Sequence, residues 1–426
     1  MAEPTSKDKK SFCIDKGVIW EAWKQVRANQ GAPGIDEEAI SEFEGNLQGN
    51  LYKLWNRLSS GSYMPPAVLA VQIPKTHGQG IRTLGVPTVA DRVAQTVAKL
   101  YLEPQVEPHF HPDSYGYRPR RSALDAVGAC RRRCWKTDWV IDLDLRSFFD
   151  TVDHDLMLRA VAAHTDQRWV LLYVERWLKA PLDNGDGDLK ERDRGTPQGS
   201  AISPLLANLY LHYAFDAWMD REHPDIAFER YADDVVVHCK SERQARTVLG
   251  EIEKRMAACR LELNGDKTRI VYCKDSNRPG SNEHERFDFL GYTFRPRSAL
   301  NNGRGELFVS FAPAISDEAA KKIRQTIRSW RVHLWSGTPL EDIARQCNPV
   351  VRGWINYYGR FHPSVLAESL RRIDAYLVRW TVQKFKRLKR SSKRARKFLA
   401  SVFEREPELF AHWRLTAARD GVVGAG

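Results

Sequence analysis

The stretch that decides the fold is an adjacent pair of carboxylates between two short runs of strand-favouring residues: Phe228-Glu229-Arg230-Tyr231-Ala232-Asp233-Asp234-Val235-Val236-Val237-His238-Cys239. Aromatic and β-branched residues favour strands, so the pattern predicts a tight hairpin with Asp233 and Asp234 at its bend. Neighbouring carboxylates repel each other unless a divalent cation lies between them and other acids. Because Asp is common in turns, a solvated acidic turn is the alternative for this pair alone.

A second acidic strand lies upstream of the pair. Residues 139–145 alternate strictly, with Asp142 and Asp144 on one face and apolar side chains on the other. The apolar face can pack on helices while the acidic face opens to a cleft. Together the two strands would supply carboxylates to one or two Mg²⁺ ions, the hard-cation arrangement used for displacement at phosphorus. The second strand therefore favours a metal site over a solvated turn.

The charge balance points to a polyanionic partner. The chain has 426 residues, enough for two or three domains, and a formal net charge of +12. Nucleic acid and an anionic membrane surface are the partners that such a balance suggests. Residues 317–400 contain 20 Lys and Arg against six Asp and Glu, so the rest of the chain is close to neutral.

Composition excludes several other classes. No apolar run approaches the ~20 residues that span a bilayer, and the first residues lack the apolar core of a signal peptide. The seven Cys show no repeated Cys-x-x-Cys, which fits reduced thiols rather than a disulfide framework. Cys130 and Cys134 lie one helical turn apart, but no second pair is near them to complete a zinc site. A cytoplasmic protein is expected, associated with the nucleoid when it acts on DNA.

Three motifs, in order along the chain, resemble the palm of a reverse transcriptase: Asp144-Leu145-Arg146-Ser147-Phe148-Phe149-Asp150, Arg194-Gly195-Thr196-Pro197-Gln198-Gly199-Ser200 and Tyr231-Ala232-Asp233-Asp234. More narrowly, the chain is similar to the bacterial group II intron reverse transcriptase/maturase. The Gly- and Pro-rich loop at 29–36 resembles part of the amino-terminal extension of that family. The resemblance implies an RNA-directed DNA polymerase, a nucleotidyltransferase.

The resemblance also implies a fold and a domain order. The expected fold class is α+β, a right-hand polymerase whose fingers and palm hold an antiparallel sheet packed on helices, with an all-α thumb or maturase domain. The amino-terminal extension and fingers would cover 1–135 and the palm 136–295. The helical thumb would cover 296–385, and a basic nucleic-acid-binding segment would cover 386–426.

The resemblance assigns the binding of two Mg²⁺ ions to Asp144, Asp233 and Asp234. Lys267 matches a catalytic residue near the leaving pyrophosphate, where an ammonium can neutralise charge or donate a proton. Asp142 shares the strand face but does not match the motif position, so it is expected to be solvated or to lie behind the metal ligands. A solvated lysine after a turn is the alternative for Lys267.

The resemblance also implies contacts to substrate. The residues that would bind the incoming nucleotide are Lys75, Arg82, Phe149, Gln198 and Gly199. Lys75 and Arg82 would clamp the triphosphate, and Phe149 would close off the sugar 2′ position; solvated charges and core packing are the respective alternatives. The residues that would contact primer or template are Arg118, Arg120, Tyr231, Leu290 and Gly291.

The carboxyl-terminal third is predicted to be helical and basic. Apolar residues recur at helical spacing, with Ile323, Ile327, Trp330 and Leu334 on one stripe. Residues 351–361 resemble the signature of the maturase thumb. Phosphate contacts, giving affinity with little sequence discrimination, are expected from the basic side chains, although a solvated helix face is the alternative. These side chains are Arg352, Lys384, Lys386, Arg387, Lys389, Arg390, Lys393 and Arg394.

The family implies a second activity besides polymerisation, in which the protein binds its group II intron RNA to assist splicing and retrohoming. The implied partners are that RNA, a DNA target and primer, and dNTPs, with no membrane. Two alternatives stay open: a splicing maturase with incidental polymerase activity, and a domesticated relative in DNA repair or phage defence. The intact carboxylates and Phe149 favour an active polymerase. With no His/Cys constellation after the thumb, an HNH-type endonuclease is expected to be lacking.

Overall fold

The structure, a computed structural model, describes residues 10–74, 81–185, 187–301, 305–388 and 391–420. Lys75, Lys389 and Arg390, which are predicted to bind nucleotide or nucleic acid, lie outside these ranges. The described residues form helices and small sheets along the whole chain, which agrees with a mixed α and β fold. They divide into two compact units, of which the first runs to Ala126 and resumes over Ile141–Arg269. The second contains Val127–Val140 and the described residues from Ile270 onward.

Four helices open the first unit: α1 (Lys16–Asn29), α2 (Ile40–Gly45), α3 (Leu47–Ser60) and α4 (Val89–Val106). Helix α4 is buried on most sides, and Thr88 caps it by accepting a hydrogen bond from the backbone N–H of Asp91 at 3.2 Å. Arg92 on this helix donates to the carbonyl of Ala32 at 2.8 Å, which fastens the 29–36 loop to the start of α4. Gly31 has a φ of 123°, a conformation that residues with a Cβ rarely adopt, so the loop favours glycine there.

Two sheets involve residues of the first unit. One has the strand order β2-β1-β4-β5 and consists of β1 (Val68–Pro74), β2 (Ile81–Val86), β4 (Leu182–Asp183) and β5 (Leu189–Lys190). The other has the order β6-β7-β3-β8 and consists of β3 (Trp139–Leu143), β6 (Phe228–Tyr231), β7 (Asp234–Cys239) and β8 (Arg269–Tyr272). Strands β6 and β7 are antiparallel and place Tyr231 opposite Asp234.

The remaining helices before residue 260 are α5 (Ala123–Cys134), α6 (Phe148–Thr151), α7 (His154–Ala162), α8 (Arg168–Lys179), α9 (Ser203–Leu211), α10 (Ala217–Glu222) and α11 (Glu242–Ala258). Between α9 and α10 the chain makes a π-helical turn over His212–Asp216. Helix α9 is apolar nearly all round and lies in the core, which also buries its single amide, Asn208.

The second unit has one further sheet, in the order β11-β10-β9, made of β9 (Phe287–Phe289), β10 (Tyr292–Asn301) and β11 (Glu306–Ile315). Five helices follow: α12 (Asp317–Ser329), α13 (Leu340–Tyr358), α14 (Pro363–Lys384), α15 (Ser392–Arg405) and α16 (Trp413–Asp420). Ile323, Ile327 and Trp380 belong to their shared apolar core. Leu334 is 56% exposed, because α12 ends five residues earlier. None of the described helices combines the length and apolar character needed to span a bilayer.

Candidate active site

The acidic pair lies at the hairpin between β6 and β7. Its two-residue turn consists of Ala232 and Asp233, while Asp234 already begins β7 opposite Tyr231. The predicted hairpin is therefore present, with one acid in the turn and one on the adjoining strand. Ala232 has a φ of 56°, a left-handed conformation that a residue with a Cβ rarely adopts. Contacts from the surrounding structure must hold this turn in place.

Asp144 follows β3 and has two neighbours on the segment before β8. The Asn264 side-chain amide donates to Asp144 Oδ2 at 2.9 Å, and the Lys267 Nζ lies 3.1 Å from the same oxygen. The backbone N–H of Asn264 also donates to the Asp144 carbonyl at 2.8 Å. Sequence reasoning singled out Lys267 but missed Asn264, which binds the same carboxylate.

The three carboxylates predicted to bind metal line one cleft of about 1200 Å³. Burial raises the pKa of Asp233, and the negative charge of Asp144 raises this pKa further, against the opposite effects of Arg82 and Lys267. Asp144 and Asp233 both line this cleft, so the end of β3 and the hairpin turn face the same space. The atoms that these three residues offer to a metal are carboxylate oxygens, which are the ligands that Mg²⁺ and other hard divalent cations prefer. The donor set therefore fits a divalent metal.

The predicted nucleotide-binding residues Arg82 and Gln198 also meet at this cleft. Arg82 Nε donates a hydrogen bond to Gln198 Oε1, and the backbone N–H of Gly85 donates to the Gln198 carbonyl at 2.8 Å. Gly199 has a φ of 119°, and a Cβ there would lie 2.7 Å from the Gly85 carbonyl oxygen. The Pro-Gln-Gly loop thus packs closely on β2, which explains the glycine at position 199.

Phe149 lies on the cleft wall and is only 7% exposed. Its ring packs at a steep angle on Phe148, with centroids 5.4 Å apart. Its carbonyl accepts a hydrogen bond from the backbone N–H of Thr196 at 2.7 Å, which joins it to the segment before Pro-Gln-Gly. The side chain therefore belongs to the core and to the cleft wall at once, and its contact with the sugar 2′ position stays a prediction.

Arg118 and Arg120, predicted to contact primer or template, have different environments. Arg118 is buried, and its Nε donates to Glu107 Oε1 at 3.0 Å. Its Nη1 donates to the carbonyls of His111 and Ser114, at 2.6 and 2.7 Å. This guanidinium is fully engaged inside the first unit, which corrects its assignment as a nucleic-acid contact. Arg120 is exposed, as that assignment requires.

Tyr117 is a cleft residue that sequence reasoning did not single out. It is 49% exposed and lines the cleft with the carboxylates. Its ring centroid is 6.4 Å from that of Tyr231, the residue before the turn. Burial raises the pKa of Tyr117, and the charge of Asp233 adds to the increase. The signal in the sequence was that Tyr117 lies in a loop that mixes aromatic and basic residues.

A buried polar network behind the turn was also missed. Arg230 and Asp216 both have fully buried side chains, and they form a two-point ion pair. Arg230 Nη1 donates in addition to Asn208 Oδ1 and to the Ala232 carbonyl, at 3.0 and 3.1 Å. The sequence around Arg230 gives no sign of this network, because Asp216 lies 14 residues earlier along the chain.

In the second unit, Leu290 and Gly291 form the two-residue turn between β9 and β10. Their φ angles are 51° and 77°, as expected of a tight hairpin turn. The hydroxyl of Tyr357 donates to the Leu290 carbonyl at 2.9 Å, and a Cβ at Gly291 would lie 3.2 Å from the Tyr358 hydroxyl. This hairpin packs on the end of α13, and its contact with primer or template stays a prediction.

The basic residues predicted on the thumb and tail are mostly accessible. Lys384 differs, because its Nζ donates to the Thr338 carbonyl at 2.9 Å and lies over the Trp380 ring. It is therefore engaged within the helical core region rather than presented to solvent. The exposed members of the set are Arg352, Lys386, Arg387, Lys393 and Arg394.

Comparison with known families matches two segments. Residues 73–294 match the family described as "Reverse transcriptase (RNA-dependent DNA polymerase)", which contains the carboxylate cleft. Residues 320–399 match "Group II intron, maturase-specific domain", which contains α13 and α14. The first match covers more than half of the chain and implies a right-hand polymerase fold.

Curated relatives agree with these matches. "Protein YkfC" of Escherichia coli is 31% identical over 357 residues, covering 74% of this chain and 89% of that protein. "Group II intron-encoded protein LtrA" of Lactococcus lactis is 25% identical over 459 residues, covering 88% of this chain and 73% of that protein. A "Putative COX1/OXI3 intron 1 protein" of Saccharomyces cerevisiae is 28% identical over 205 residues, which are 48% of this chain and 24% of that protein. The chain belongs to the reverse transcriptase family, and within it to the group II intron reverse transcriptase/maturases.

Proposed function

We propose that this group II intron reverse transcriptase copies RNA into DNA at the cleft that holds Asp144, Asp233 and Asp234. The observation that carries the proposal is that these three carboxylates, from the end of β3 and from the hairpin between β6 and β7, line the same cleft. As an intron-encoded reverse transcriptase/maturase, the protein has intron RNA and nucleic-acid substrates as partners. The proposal adds dNTPs, a DNA primer and a DNA target to them.

Reverse transcriptases use divalent metal ions, typically Mg²⁺. We expect the three carboxylates to hold two such ions, because their oxygens fit hard cations and their mutual repulsion is relieved by positive charge. When bound, the ions would lower the pKa of the primer 3′-hydroxyl and neutralise charge on the departing pyrophosphate.

The remaining cleft residues would bind and orient the substrates. The Arg82 guanidinium, held by the Gln198 side chain, suits a triphosphate because its planar fork binds phosphate oxygens at two points. Lys267 stands beside Asp144, where its ammonium would neutralise or protonate the leaving pyrophosphate. Phe149 on the cleft wall would exclude a sugar 2′-hydroxyl. These groups contribute mainly by positioning and by charge stabilisation.

The domain roles follow the same proposal. Residues 1–135 would form the amino-terminal extension and fingers, 136–295 the palm, 296–385 the thumb, and 386–426 a basic nucleic-acid-binding tail. The tight hairpin at Leu290 and Gly291 suits a backbone turn that contacts the primer. The exposed basic side chains of the second unit suit phosphate contacts with intron RNA, which would support splicing and retrohoming.

The test is primer extension on an RNA template with dNTPs and Mg²⁺. Asp233→Asn and Asp144→Asn are each expected to lower the extension rate by about two to three orders of magnitude, since each removes charge from a metal ligand. Asp225→Asn makes the same chemical change at an exposed acid outside the cleft and should leave the rate unchanged.

The outcomes of primer extension separate the proposed function from its alternatives and test the choice of carboxylates. If the folded wild type extends no primer on several templates but binds structured RNA, it acts as a splicing maturase without polymerase activity. If the wild type is active and the two cleft variants match Asp225→Asn, the active site has been assigned to the wrong carboxylates. Intron RNA sequence around the coding region would separate a mobile element from a domesticated relative.

A further inference from the structure

The arginine of strand β6 has a side chain with no exposed surface. Arg230 and Asp216 are each 0% exposed. Arg230 Nε donates to Asp216 Oδ1 at 2.7 Å, and its Nη2 donates to Asp216 Oδ2 at 2.5 Å. The guanidinium is therefore fixed in orientation by a planar two-point pair. Its remaining nitrogen, Nη1, is directed at other groups.

The Nη1 atom of Arg230 connects this pair to the turn that carries Asp233. It donates to the carbonyl of Ala232 at 3.1 Å and to Asn208 Oδ1 at 3.0 Å. The Asn208 amide donates in turn to the Gly116 carbonyl at 2.5 Å. One network thus connects the inside of the turn to the loop that precedes Tyr117.

The turn depends on these contacts because its own sequence does not favour its conformation. Ala232 adopts a φ of 56°, which glycine or asparagine would accept more readily. The Gly116 backbone also lies against the turn, because a Cβ there would lie only 2.4 Å from the Ala232 nitrogen. Ala232 is thus contacted by both the Arg230 guanidinium and the Gly116 backbone, and Asp233 is the next residue.

The acidic residue of this network, Asp216, lies in the π-helical turn between α9 and α10. Asp216 is the last residue of the π-helical turn His212–Asp216. A π-turn inserts an extra residue into a helix and so rotates the side chains that follow, and such turns often occur at functional sites. This turn places Asp216 against Arg230 within the core.

We infer that Arg230, oriented by Asp216 and Asn208, is a positioning residue that sets where Asp233 and Tyr117 stand in the cleft. A buried ion pair adds little net stability, because the loss of hydration offsets the attraction between the charges. Its geometry is nevertheless specific, since any other arrangement leaves a buried charge without its partner. The inference rests on the proposed polymerase function, which supplies the role of Asp233.

The test compares Arg230→Lys and Asn208→Ala with wild type in the full chain. A lysine can pair with Asp216, but its single nitrogen cannot replace four directed hydrogen bonds. We expect kcat for single-nucleotide addition to fall about 100-fold in Arg230→Lys and about tenfold in Asn208→Ala, as for a misplaced catalytic group. The Kd for template and primer should stay unchanged. The Kd for Mn²⁺, titrated by electron paramagnetic resonance without nucleic acid, should rise several-fold.

Arg278→Lys is the matched control. Arg278 forms a largely buried two-residue pair with Asp275 in the second unit, with Nη2 2.5 Å from Asp275 Oδ2. This variant should lower the melting temperature without changing kcat or Mn²⁺ affinity, and all rates are compared per folded molecule.

The outcomes separate the inference from the proposed function. A wild type that extends no primer contradicts the polymerase proposal, while the Mn²⁺ titration still tests Arg230. If the wild type is active, and Arg230→Lys and Asn208→Ala both keep its kcat and Mn²⁺ affinity, the network is structural only and the inference is overturned. Should Arg230→Lys fail to fold, Asn208→Ala decides alone, because it leaves the Arg230–Asp216 ion pair intact.

Discussion

Asp144 is held by two side chains of different chemistry, a neutral amide and an ammonium. The ammonium of Lys267 is 64% exposed, and such exposed ion pairs contribute about 0–1 kcal/mol. The amide of Asn264 is better placed to fix the carboxylate, because the backbone of the same residue is bonded to the Asp144 carbonyl. We therefore expect Asn264, rather than Lys267, to orient the Asp144 carboxylate.

Asn264→Ala is therefore expected to reduce kcat for nucleotide addition. A hydrogen bond to a charged group contributes about 1.5–3 kcal/mol, which corresponds to a fall of about ten- to a hundredfold if it acts on the transition state. The unfolding free energy should fall by no more than this amount, since the residue is only half-buried and water can replace part of the bond. Single-turnover extension and urea unfolding measure the two quantities.

Asn277→Ala, at an exposed position of the second unit, is the control for removing an asparagine side chain. Equal rates for Asn264→Ala and wild type would show that Asp144 holds its orientation without the amide.

Residues of the site differ in how far the sequence could predict them. Asp144, Asp233 and Gln198 stand in short motifs whose order and composition indicate phosphoryl chemistry. Asn264 and Arg230 have no such local pattern, because their partners are 120 and 14 residues away along the chain. Only the folded structure brings those partners together.

At the scale of elements, helix α4 connects the core to the Pro-Gln-Gly loop. Its Asp91 is buried and accepts hydrogen bonds from the Tyr63 hydroxyl and the Trp177 indole, each at 2.7 Å. Gln95, one turn along, donates to Asp91 at 2.9 Å and accepts from the backbone N–H of Ala201 at 2.8 Å. Ala201 lies two residues after Gly199, so this hydrogen bond connects α4 to the end of the Pro-Gln-Gly loop.

Asp91 should make the stability of the protein depend on pH. Burial raises its pKa to about 6, from an ordinary value of 3.8, against the opposite effect of its hydrogen bonds. The folded state therefore binds more protons than the unfolded state between these pH values, so the free energy of unfolding falls as pH rises from about 4 to 6. At about 1.4 kcal/mol per pKa unit the fall is about 3 kcal/mol, and the contribution is constant above this window.

Asp91→Asn should remove this fall. The measurement is the free energy of unfolding in urea, for wild type and variant, at several pH values from 4 to 7. The difference between the two free energies at each pH isolates Asp91 from other titrating groups. The asparagine variant also has a pH-independent cost, because its amide cannot accept from Gln95. Parallel curves for variant and wild type would mean that Asp91 ionises in the folded state as readily as in the unfolded state.

Elements were predictable where apolar spacing or turn chemistry is strong, and less so at their ends. The spacing of Ile323 and Ile327 correctly predicted α12. It also extended the helix to Leu334, whereas the helix ends at Ser329 and Arg331 takes a left-handed φ of 50°. Periodicity continues through such a break, because the apolar residues beyond it remain at compatible intervals. The break depends on backbone geometry that no apolar pattern records.

At the scale of the whole molecule, charge is distributed unevenly along the chain. Residues 317–400 carry an excess of 14 positive charges, more than the net +12 of the whole protein. Composition located this excess but could not tell which side chains are accessible. Residues 384–397 form a basic block within this segment. Lys384 belongs to the block, yet its side chain donates to a backbone carbonyl of its own unit.

Neutralising the exposed part of this block should weaken nucleic-acid binding through its salt dependence. The exposed residues of this block are Lys386, Arg387, Lys393 and Arg394. Each phosphate contact adds about 0.7–0.9 to the steepness with which log affinity falls against log salt concentration. Replacing all four by Gln should therefore reduce the slope by up to about 3. The measurement is the Kd for structured RNA and for a DNA duplex over a series of salt concentrations.

A fourfold replacement by Gln at Lys179, Arg221, Lys240 and Arg246 makes the same change in net charge at exposed positions of the first unit. If binding responds only to net charge, the two variants will lose the same slope, and the basic block has no particular role. If the block contacts phosphates, only its own variant will lose slope, with similar losses on RNA and on DNA.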